Sequence, residues 1–161
     1  MVRLSKIALL FAMSFFCFLV VLGNITDYQV NFPAVQSALS MKDVFPNSTS
    51  TYRAILNPTV QYVFFGGIVL LELMSALLCF IGGVQLLRSI KASASVFNHA
   101  KNWAIAGLTV GFVTWQVLFM TIGGEWFGMW MSTMLNGAIT TAFHIFITFL
   151  GVLIYVVMKD E

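Results

Sequence analysis

Four long apolar runs, separated by polar stretches, set the pattern of this chain. Ile7–Leu22 is apolar apart from Ser14 and Cys17. Gln61–Leu87 is the longest run, with one acid, Glu72, near its middle. A third runs from about Val96 to Ile122 and a fourth from Ala138 to Met158. A membrane-spanning helix needs roughly 20 apolar residues, so each run predicts one crossing, at about 6–23, 58–88, 96–122 and 138–158. The fold class follows: an all-α bundle of four transmembrane helices in a single membrane domain.

The polar stretches predict how the spans begin and end. Asn57-Pro58 reads as the N-cap and first position of the second helix. Arg88 and Lys91 close it, and Ser95 is placed to cap the third. Within 24–57, Pro33 predicts the first turn of a short helix reaching about Met41. Its apolar residues Phe32, Val35, Leu39 and Met41 would lie on the bundle or at the membrane surface. A second short helix is expected over Thr51–Leu56. Gly123-Gly124 is expected to break the third span, leaving 123–137 as an external segment. There Trp126 and Trp130, four apart, would share one side as interface aromatics. Val21-Leu22-Gly23 loosely imitates a signal cleavage site, but the apolar core is long for a signal, and an uncleaved first span is expected.

Helical spacing assigns faces. Glu72 shares its side of the second span with Ile68, Ser75, Ala76, Cys79 and Gly83; Val63, Leu70, Met74, Leu77 and Ile81 lie opposite. Small residues let helices approach closely in lipid, where packing drives association. The Glu72 face is therefore expected to point into the bundle. On the third span Ala100, Ala104, Gly107, Gly111 and Thr114 form a second small-residue seam, which includes the GxxxG of Gly107–Gly111.

Composition agrees: 60% of the 161 residues are hydrophobic and 9% are charged, against about 25% charged in a soluble domain. A net charge of +2 gives no basis for nucleic-acid binding. With both termini cytoplasmic, Arg3, Lys6, Arg88, Lys91, Lys101 and Lys159 lie inside and only Lys42 and Arg53 outside, as the positive-inside rule prefers. Asp27 and Glu125 would then be placed to pair with Arg53 in an external cap. Lys101 and His99 are expected at the interface, Lys159–Glu161 is expected to be a polar tail, and Cys17 and Cys79 are expected to be buried free thiols.

Candidate chemistry is sparse. Acids inside membranes face protein or water and carry a partner. Glu72 thus reads either as a proton, cation or ligand site, or as a hydrogen-bonded residue fixing helix register with Thr114, Gln116 or Ser75. His144, with Gln116, Thr121 and Thr140, reads as lining an outer-half cavity or as a packed residue. There is no nucleophile elbow, phosphate-binding glycine loop or zinc helix, and no cofactor or metal site is expected.

The motifs Asn24-Ile-Thr-Asp-Tyr28, Tyr52-Arg53-Ala-Ile55, Gly107-Leu-Thr-Val-Gly111 and Gly123-Gly-Glu-Trp-Phe127 with Met129-Trp130 resemble a bacterial family of predicted small integral membrane proteins, domain of unknown function 2165. Leu135 stands where that family carries a Trp. The resemblance spans essentially the whole chain and implies four spans in an inner membrane, with no activity attached. The expected role is a non-enzymatic membrane component or accessory subunit, in contact with lipid and with copies of itself or a larger complex. The alternative is a small transporter or channel built on Glu72.

Overall fold

The computed structural model describes Met1–Glu161. Four helices are long and apolar enough to cross a membrane. The first, α1, runs Val2–Thr26. The chain bends at Asp27 and continues as α2, Tyr28–Ser40. A 3-10 turn, Thr49–Arg53, leads to α3, Pro58–Arg88. The short α4, Ala94–His99, precedes α5, Asn102–Val113, which passes without a break into a π-helix over Thr114–Trp126. A 3-10 turn at Met129–Met131 precedes α6, Asn136–Val157. At 1.5 Å per residue, α1 is about 37 Å long and α6 about 33 Å, enough for a hydrocarbon core of about 30 Å.

The faces match the spacing. Ile68, Glu72, Ser75, Ala76, Cys79 and Gly83 are buried on α3, and Val63, Leu70, Met74, Leu77 and Ile81 are exposed. Asn57 caps α3, its Oδ1 accepting from the Thr59 and Val60 amides. α3 packs between α1 and α5, α5 packs against α6, and α1 meets α6 only sparsely. Small residues set these distances: a Cβ at Gly107 would lie 2.6 Å from the Cys79 amide nitrogen, and one at Gly111 would enter the Phe149 ring. Serine hydroxyls tie the seams where no water competes. Ser14 donates to Ala76 O at 2.9 Å, and Ser75 to Gly107 O at 2.9 Å. Cys17 and Cys79 are buried free thiols.

Several expected boundaries move. α2 starts at Tyr28, so Pro33 lies inside it rather than in its first turn; the Asp27 carbonyl accepts from the Val30 and Asn31 amides and starts the helix early. The 3-10 turn at Thr49–Arg53 replaces the helix expected over Thr51–Leu56. Gly123-Gly124 does not break the third span, which continues to Trp126. Its turns there close five residues back, as in the Phe127 amide to Ile122 O at 2.9 Å. Such a helix holds roughly four to five residues per turn. Thr114 and Trp115 therefore share a buried face with Gly123 and Gly124, nine residues on, a spacing that would put them on opposite faces of an α-helix.

Beyond α1, α2 lies on the first turns of α3 through Phe32, stacked on Tyr62 at 4.3 Å and edge-on to Phe65. Gln61, buried, accepts from Gln36 and donates to Ile55 O. A small apolar cavity of about 100 Å³ lies beneath this cap, lined in part by Val35, Ile68, Ile122 and Leu135.

Candidate functional site

Glu72 lies in the middle of α3 and is 1% exposed. Its Oε2 accepts from the Asn24 side-chain amide at 2.7 Å. Asn24 sits in the last turn of α1, so this bond ties the end of α1 to the middle of α3. None of the expected partners bonds Glu72. Ser75 donates to Gly107 O, Thr114 donates to Val110 O of its own helix, and Gln116, half-buried in the π segment, does not bond Glu72. The sequence carried a signal for Asn24 in the Asn-Ile-Thr-Asp-Tyr motif, but the motif falls at the edge of the apolar run and reads as loop.

His144 does not join Glu72. It is exposed on α6, facing a groove shared with α1 and with Thr141 and Thr148. Thr121 and Thr140, expected beside it, do not line that groove.

The cap at the end of the bundle away from the termini, expected to be external, holds by contacts other than the expected ion pairs. Arg53 pairs with neither Asp27 nor Glu125. Its guanidinium lies over the Trp126 ring at 4.5 Å and donates to Trp126 O at 3.3 Å. The flat cation is satisfied by an aromatic face and a carbonyl within reach, and both acids stay in solvent. Trp130 packs edge-on against Phe45. Asp43 accepts from the Ser132 hydroxyl at 2.6 Å and from Thr133 and the Met134 amide at 3.5 Å, which clamps the segment before α6. These bonds, the Ser132 hydroxyl foremost, hold the Asp43 carboxyl below its ordinary range.

The strongest polar cluster is at the opposite end, where sequence reasoning expected an interface residue and a free tail. Asp160 Oδ2 lies 2.7 Å from Lys6 Nζ and 2.6 Å from Lys101 Nζ. Both lysines also donate to Met158 O, at 2.6 and 2.7 Å. Asn98 completes the knot: it donates to Asp160 O, and its Oδ1 accepts from Lys101 and from the Asp160 amide. Lys6 and Lys101 are 1% and 2% exposed. Burial would lift the Asp160 carboxyl, but hydrogen bonds and charge from Lys101 and Lys6 outweigh it and bring it below the ordinary aspartate value. Arg3 donates to Ile90 O, Ala92 O and Glu161 O, so both termini are bound at one end of the bundle. This end also carries Arg88, Lys91 and Lys159.

No curated protein and no solved structure matches the chain. The four apolar helices, the length and the motifs carried on them agree with the family model described as predicted small integral membrane protein, domain of unknown function 2165, which matches residues 2–159; the chain belongs to that family.

Proposed function

We propose that this protein is a non-enzymatic component of the bacterial inner membrane that works through contacts, as an accessory or assembly subunit. The observation that carries this reading is the state of Glu72. An acid in a transport path faces a water-filled cavity, whereas Glu72 is 1% exposed and bonded to Asn24 of the neighbouring helix. Its role is then to fix the register of α1 against α3, as single buried polar residues do in helical bundles. The end that holds both termini lies in the cytoplasm, because six of the eight basic residues gather there. The outer cap, with Tyr52, Trp126, Trp130 and Met134 exposed, is the surface offered to a partner or to the membrane interface.

The test is reconstitution of the purified wild type and Glu72→Gln in liposomes. Proton, sodium and potassium leak no faster than in empty vesicles supports the reading, as does a larger native-gel complex in membranes that survives Glu72→Gln. A flux that Glu72→Gln abolishes overturns it in favour of the small transporter or channel.

A further inference from the structure

The bundle is open on one side. Between α1 and α6 lies a groove of about 370 Å³, walled by Met13 and Phe16 on one helix and by Thr141, His144 and Thr148 on the other. Thr141, His144 and Thr148 recur at three- and four-residue spacing, so they form one polar stripe on a helix that also exposes Thr140 and the apolar Phe143, Ile147 and Ile154. His144 is eight residues into α6, about 12 Å from its outer end at 1.5 Å per residue. That depth is hydrocarbon, where water does not satisfy polar groups.

The donor and acceptor pattern of the stripe is specific. Thr148 donates to His144 O at 2.8 Å and Thr141 to Gly137 O at 3.0 Å. Both hydroxyl protons are therefore taken, and each oxygen is left as an acceptor. The His144 imidazole makes no hydrogen bond within the protein; its ring neighbour is Phe143. A neutral imidazole offers one donor and one acceptor. The few polar groups of this largely apolar groove are thus mostly acceptors, and their complement is a molecule that brings a hydroxyl proton on an apolar body. The groove is short, covering two turns of α6 from Thr141 to Thr148. A transmembrane helix would need a seam along the whole bilayer. A ring-sized head with an apolar tail fits, and Phe16, backed by Trp115 at 5.8 Å, supplies a flat wall.

We infer that the α1–α6 groove binds the head of a lipid-soluble phenol or hydroquinone, its hydroxyl bonded to His144 and the threonine oxygens and its tail in the acyl chains. The site is separate from the Glu72–Asn24 pair and does not depend on the role proposed for it.

The full-length protein in nanodiscs is titrated with radiolabelled 4-decylphenol by equilibrium dialysis, with empty nanodiscs as the blank, and then with the methyl ether 4-decylanisole. One saturable site per protein is expected for the phenol, with the ether at least about tenfold weaker, the equivalent of one hydrogen bond. His144→Leu should weaken phenol binding by about tenfold or more. His144→Gln, which keeps a donor and an acceptor, should stay within about threefold of the wild type. Leucine suits an apolar helix in lipid, so this variant keeps the fold. Phenol uptake no greater than the blank, or equal affinities of phenol and ether, or of wild type and His144→Leu, overturns the inference. So does efficient cross-linking of His144→Cys between two copies in the membrane, which would make the groove a contact between protein chains.

Discussion

Asp160→Asn removes one charge from the buried knot at the termini and keeps the size and much of the hydrogen-bonding capacity of the side chain. Lys6 Nζ and Lys101 Nζ both bond Met158 O, at 2.6 and 2.7 Å, so the two ammonium groups are held within about 5 Å of each other. At an effective dielectric constant near 20, two like charges roughly 5 Å apart repel by about 3 kcal/mol. That is the low end of the roughly 3–5 kcal/mol measured when one partner of a buried ion pair is removed. The low end is apt here, because lysines near a bundle end can extend toward water. The assay is reversible unfolding in mixed micelles, with SDS as denaturant and helicity as the signal. Asp160→Asn should lose about 3 kcal/mol. Adding Lys6→Met should restore at least about half of that loss, because the remaining lysine has no like charge beside it. The wild-type advantage has a pH signature. The folded-state carboxyl sits below its ordinary value, so the stabilisation is full above the ordinary aspartate range, near pH 4. It disappears as pH falls through the lowered folded value, and Asp160→Asn should lack that acid limb. A variant within about 0.5 kcal/mol of wild type at neutral pH would refute the reasoning.

Asn24→Ala should cost about 1–3 kcal/mol in the same assay, since it strands the Glu72 carboxyl without its hydrogen bond; in a Glu72→Ala background the cost should shrink markedly, and an unchanged cost would contradict the pairing. Gly107→Val should lose about 1–3 kcal/mol by pushing α5 from α3. Gly151→Val, at a glycine with open space around its Cβ position, should lose little, and equal losses would argue against the seam. Asp43→Asn should release the segment before α6, read as faster protease cleavage within 128–135 at neutral pH. Because the Asp43 carboxyl is held low in the folded state, the wild type keeps this protection above the ordinary aspartate range. It should approach the variant as pH falls through the lowered value, and identical cleavage of the two at neutral pH would remove Asp43 from the clamp.

The faces of α3 and of the first half of the third span were legible because a regular α-helix converts spacing into direction. Ile68, Ser75, Ala76, Cys79 and Gly107 went where a period of 3.6 places them. The same logic failed beyond Thr114, because nothing in residue identity announces a change to wider winding, so Gly123-Gly124 reads as a break where the helix continues. The partner of Glu72 was missed for a different reason. Asn24 lies past the apolar run, and hydropathy does not tell that the last turn of α1 continues through Thr26. The termini were least legible. Lys6, Lys101 and Asp160 are far apart in the chain and each reads alone as an interface or tail charge; only packing brings them within 2.7 Å. His144 was picked out as an intramembrane imidazole, but its neighbours depend on the sparse contact of α1 with α6, which spacing along one helix does not encode.

Everything rests on Glu72 facing its neighbouring helices and being closed off by Asn24. The most direct measurement treats native membranes with dicyclohexylcarbodiimide, a lipid-soluble reagent for carboxyl groups, and follows the peptide containing Glu72 by mass spectrometry. Glu72 should stay unmodified in the wild type and become reactive in Asn24→Ala. Rapid modification of wild-type Glu72 would place the carboxyl against acyl chains and contradict the arrangement of the bundle.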